Sequence, residues 1–137
     1  MRKVYKLVAA ALVLGAFGMT ASAAVVSGKK NLVCATTKVV ACMNGGNCTQ
    51  GDAASFEVPT FMFVDFKNKA IRAVDHDGSE VTSPVKQYES TDQTLMMQGF
   101  ENHRGWTIAV QKEDGTMTLS ATGPDVNFTF MGSCTEN

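Results

Sequence analysis

Groups that commonly move protons or hold metals are scarce in this chain. It carries only two histidines, His76 and His103, and has no G-x-S-x-G, H-E-x-x-H or P-loop sequence. Imidazole is the side chain best suited to proton transfer near neutral pH, so its scarcity weighs against acid–base catalysis. None of the four cysteines stands in a C-x-x-C pair, which argues against the usual zinc sites. Cations are few as well. Without Arg2, Lys3 and Lys6 of the extreme N-terminus, nine Lys and Arg remain against thirteen Asp and Glu, a net charge of −4. A protein that lives on phosphate contacts needs a basic face, and the one remaining cluster is Lys29-Lys30, so nucleic acid is not an expected partner. After residue 23 no apolar run approaches the length that spans a bilayer, and no stretch carries a helical period.

What is present begins with an export signal. Arg2, Lys3 and Lys6 form a positive n-region, Leu7 to Phe17 an apolar h-region, and Ala21-Ser22-Ala23 a small-residue cleavage site. Residues 1–23 are therefore expected to be removed, leaving residues 24–137 as one domain in the periplasm or outside the cell, with no membrane attachment. Four cysteines in a short exported chain imply disulfides, for which three pairings exist. The expected set joins Cys42 to Cys48 around the turn Met43-Asn44-Gly45-Gly46-Asn47, and Cys34 to Cys134, tying the first strand to the last.

The last third carries the clearest pattern. Trp106, Ile108 and Val110 alternate with Thr107, Ala109 and Gln111; Met117, Leu119 and Ala121 alternate with Thr118, Ser120 and Thr122. Val126, Phe128, Phe130 and Gly132 alternate with Asn127, Thr129 and Ser133. Successive side chains of a strand point to opposite faces, so each run predicts a strand with one buried and one wet side. Upstream, residues 24–30 are expected to be loose, Asn31 to Cys42 to form a first strand, and Gln50-Gly51-Asp52 to end the following turn. Phe61 to Phe66 has no polar face and predicts a strand covered on both sides. Ala70 to Val74 returns as a hairpin arm. Val81 to Tyr88 contains Pro84, which predicts an edge strand, or a bulge or kink at Ser83-Pro84. The sum is an all-β fold, an antiparallel meander of about eight strands curled into a small up-and-down β-barrel, with a two-sheet sandwich as the alternative.

Two features remain for function. Asp75-His76-Asp77-Gly78-Ser79-Glu80 offers three carboxylates and a hydroxyl, but Lys86 stands where an EF-hand loop needs its twelfth-position glutamate, so an ordinary Asp-Gly turn is expected, with no metal and no cofactor. Phe61, Phe63, Met96, Met97 and Phe100 come from runs without a fully polar face and are the expected binding patch, either outward-facing or lining a cavity. The export signal, two bridges and β-meander resemble small secreted β-barrel proteins, the periplasmic lysozyme inhibitors and lipocalin-like carriers among them. That likeness is architectural and transfers no site residue. The expected function is a non-enzymatic binding protein whose partner is another protein, in the manner of an inhibitor, or a carrier of a small apolar ligand.

Overall fold

The alternating runs of the last third become the wall of a closed barrel in the computed structural model, which describes residues 26–137. The expected export signal lies outside the described residues. Nine strands follow in chain order: β1 Leu32–Met43, β2 Cys48–Gly51, β3 Phe61–Asp65, β4 Ala70–Val74, β5 Glu80–Ser90, β6 Thr94–Glu101, β7 Arg104–Gln111, β8 Thr116–Thr122 and β9 Val126–Glu136. From β3 to β9 each pairs with the next, and both β3 and β9 pair with β1, all antiparallel. This ring of eight strands is a barrel and leaves no second sheet for a sandwich. The ninth strand, β2, lies outside the ring on the far half of β1, where Val39 opposes Gly51 and Cys42 opposes Cys48.

The expected disulfides are both present, Cys34–Cys134 and Cys42–Cys48, and each joins residues directly opposite in the ladder. The first lies among buried side chains and staples β1 to β9, the two strands whose pairing closes the barrel. Around it pack Leu32, Leu95, Met97, Ile108, Val110 and Met117, all fully buried. Trp106 joins them, and its indole Nε1 donates to the buried Ser83 Oγ at 2.8 Å, so the ring's one polar atom is satisfied inside the core. The indole lies over Gly99, its directly opposed partner on β6. A Cβ at Gly99 would stand 2.2 Å from the ring, so no larger residue fits beneath it. Ile108, Val110 and Leu119 point inward as the alternation predicts, and Phe130 packs on the core. Phe128 is only half-buried, with the Arg104 guanidinium 5.9 Å above its ring.

Four expectations need correcting. The run from Phe61 is not covered on both sides: Met62 and Val64 are buried while Phe61 is exposed, because a barrel strand has one inner and one outer face whatever its composition. Pro84 does not mark an edge. It opposes Ala70 of β4, and one residue later β5 passes to β6 at Val85↔Gly99, so the missing N–H falls at the handover. A bulge is present in β5, but not at Ser83-Pro84 where it was expected: Ser83 and Pro84 stand in regular register with β4, and the register shifts between Val85 and Gln87. Residues Cys48 to Gly51 are a short strand, held by the Cys42–Cys48 bridge, where a turn was expected to run on. Val26 to Lys30 are not loose: Val26 is fully buried, and its N–H donates to Lys112 O at 2.9 Å.

A second bulge, at Thr37 of β1, shifts which positions face inward. Leu32, Cys34 and Thr36 are buried before it, Val39 and Ala41 after it. Thr37 Oγ1 donates to Met131 O at 3.1 Å, which fastens the bulge to β9.

Replacing Cys134 by alanine opens a loop whose ends are 100 residues apart in sequence, and in the chain-entropy picture should cost about 4 kcal/mol. Urea unfolding under non-reducing conditions measures the loss, and the Cys34 thiol should react with a thiol reagent only once the barrel unfolds. Gly99→Ala should destabilise by about 2 kcal/mol or more, because the added methyl displaces a buried indole. Trp106 is the sole tryptophan, so its emission reports the shift directly.

Candidate binding surfaces

The expected patch divides under the alternation of β6. Met96 and Met97 are consecutive, so one must face out and the other in: Met96 is 41% exposed and Met97 is 1% exposed, a core residue that leaves the set. Phe61 and Phe100 are exposed and Phe63 is half-buried. They do not form one surface, because β4 and β5 stand between β3 and β6 in the wall.

Two separate sites result. The first is on the outer face of the β3–β4 hairpin. The register Met62↔Ala73 and Phe63↔Arg72 carries Phe61 opposite Val74, and these two side chains are 54% and 49% exposed. Phe63 lies beside them, and the turn between β2 and β3 adds Ala54 and Val58 to a shallow hollow of about 360 Å³ that also reaches His76. That turn is held from within, the Asp52 carboxylate accepting from the Ser55 N–H and hydroxyl at 2.8 and 2.6 Å.

The second site is at the end of the barrel where the β3–β4 turn, β5 and the N-terminal segment meet. A pocket of about 350 Å³ opens there over Val64 and Met97, with Val85, Phe66 and Tyr88 on its sides and Lys69, Lys86 and Asp65 also lining it. Lys86 is the extra residue of the β5 bulge. Ser83 is buried on the inward parity before it, and after it Tyr88 stands opposite inward-facing Met97. The Tyr88 ring thereby meets Phe66 edge to face, 5.5 Å between centroids. Sequence reading could not pair these two rings, because the bulge reverses the parity that simple alternation would give Tyr88.

The N-terminal segment supplies Gly28 as a wall of this pocket. Gly28 has φ +77, and a Cβ there would lie 2.7 Å from Leu95 Cδ2 and 3.0 Å from the Tyr88 hydroxyl, so both conformation and space call for glycine. One residue before it, the Ser27 N–H donates to Glu136 Oε1 at 2.6 Å and the Ser27 hydroxyl donates to the same oxygen. Lys30 adds an ion pair at 3.7 Å.

The Asp75–Ser79 carboxylates and the two histidines lie in or beside turns. Asp77 accepts from the Ser79 N–H at 2.9 Å, and Gly78 takes φ +86, so the Asp75–Ser79 segment is a hydrogen-bonded turn. His103 lies in the two-residue β6–β7 turn, where Asn102 and His103 both have positive φ. Among the described residues, no three His, Cys, Asp or Glu side chains gather as a metal site, and no helix is long and apolar enough to cross a membrane. Comparison with protein-family models, characterised proteins and solved structures finds no match to this chain.

The donors from Ser27, first its hydroxyl and then its N–H, hold the Glu136 carboxyl below its ordinary value of 4.5, with the Lys30 charge contributing less. A depressed folded-state value means that this anchor is intact above the unfolded value and is lost as pH falls through the folded one. Below pH 4.5 the amides of Val26 and Ser27 should therefore lose hydrogen-exchange protection before the β1–β9 ladder does, and Glu136→Gln should flatten that pH dependence.

Proposed function

We propose that this chain is an exported, non-enzymatic binding protein that engages another protein through the outer face of the β3–β4 hairpin. The observation that carries the reading is the exposed Phe61–Val74 pair, flanked by Phe63, on a barrel whose interior is already filled by Trp106, Leu95, Met97 and their neighbours. Isolated exposed apolar side chains are ordinary. A contiguous aromatic and aliphatic cluster beside a shallow hollow is the usual form of a docking surface. The two disulfides are compatible with an oxidising compartment and support export. The turn positions of His76 and His103, and the local hydrogen bonds that occupy Asp52, Asp65, Asp77 and Asp114, support a structural use of these groups in place of catalysis.

The test is capture from the exported fraction with wild-type protein and with Phe61→Ser/Val74→Ser. Both side chains are exposed, so the double variant should unfold within about 1 kcal/mol of wild type. Wild type should retain a protein that the variant releases. Equal retention by both would place the docking surface elsewhere, and co-purification of a small molecule with no protein would favour the carrier reading.

A further inference from the structure

We propose that the pocket at the N-terminal end of the barrel binds a small amphipathic anion, an alkyl or aryl body bearing a carboxylate. This site is independent of the hairpin face. Phe61 and Val74 lie at one end of the hairpin, and Phe66 and Lys69, which line the pocket, lie at its turn.

Three observations lead to this ligand class. The floor is apolar, formed over Val64 and Met97, and the walls are the edge-to-face pair Phe66 and Tyr88. Such a floor and walls accept hydrocarbon. The volume, about 350 Å³, limits size. At roughly 30 Å³ for each water-sized unit it holds about a dozen heavy atoms, enough for a medium-chain acid, and any longer tail would be left in solvent. Charge then selects the head. Lys69 and Lys86 line the pocket and, among the described residues, neither is in an ion pair, while the one carboxylate of the lining, Asp65, is held in its ionised form by the Asn68 N–H at 3.0 Å and the Asn68 Nδ2 at 2.8 Å, so the lining carries two positive charges against one negative. An anion entering hydrocarbon-first would leave its head beside the two lysines. The β5 bulge supports both parts of the site, bringing Lys86 to the pocket and setting Tyr88, 43% exposed at the barrel end, against Phe66.

Calorimetric titration with octanoate, octanol and octyltrimethylammonium separates chain from head. Octanoate should bind most tightly and octyltrimethylammonium least. Lys69→Ala/Lys86→Ala changes two exposed side chains. It should weaken octanoate about fivefold to tenfold and leave octanol unchanged. Val85→Trp should fill the pocket and abolish octanoate binding, with the thermal melt confirming the fold. Phe61→Ser/Val74→Ser should bind octanoate as wild type does, whatever becomes of its protein partner. The proposal is overturned if octanoate gives no saturable heat, if octyltrimethylammonium binds as tightly as octanoate, or if the lysine double variant leaves octanoate affinity unchanged.

Discussion

The pairing of β9 with β1 is the constraint on which the rest of this structure depends. A meander of short strands has two free edges, and each exposes unpaired backbone groups until something covers it. Here the first and last strands of the ring cover one another along a ladder from Leu32↔Glu136 to Met43↔Val126, and the Cys34–Cys134 bridge holds that ladder at one covalent register. A slip of one residue would turn Phe130, Gly132 and Cys134 outward, because side chains alternate strictly along a strand. The bridge therefore stabilises closure and also selects the register that fills the core.

Closure alone would give a smooth barrel with every strand in simple alternation. Two bulges depart from that, at Thr37 in β1 and Lys86 in β5, and each reverses the parity of the residues beyond it. At Thr37 the reversal lets Leu32 and Cys34 share an interior with Val39 and Ala41. Room for it comes from Gly132 on β9, where a Cβ would lie 1.9 Å from the Ala35 carbonyl oxygen. At Lys86 the reversal turns Tyr88 toward Phe66. The hairpin face follows instead from unbroken alternation, since Phe61 and Phe63 occupy the outer positions between Met62 and Val64.

The N-terminal segment completes one end of the barrel by different means. Val26 sits in the core, and among the described residues the segment is held by the Val26 amide, the Ser27 donors on Glu136, the Tyr88 hydroxyl donating to the Gly28 carbonyl at 3.5 Å, and the Lys30 ion pair. Segments with few anchors open at lower free energy than the ladder beneath them. Gly28 of this segment is also a wall of the pocket.

The residues by themselves determined the local and periodic features. Alternation from Trp106 to Gly132 sets which side chains of β7, β8 and β9 face inward, the Asp-Gly and Gly-Gly steps set turns, and the positions of the cysteines at the ends of the meander suggest their pairing. These depend on neighbours in sequence, so they can be read without a fold. Tertiary structure alone decided whatever depends on register between strands. It separated Met96 from Met97, placed Val74 beside Phe61, seated Pro84 at a handover between two partners, and joined Phe66 to Tyr88 across a bulge that composition does not reveal. It also buried Val26, which reads as loose because the acceptor of its N–H, the Lys112 carbonyl, lies far along the chain. The physical reason is the same in each case. A strand's own residues fix its two faces, but which residues stand beside them is set only when the ladder closes.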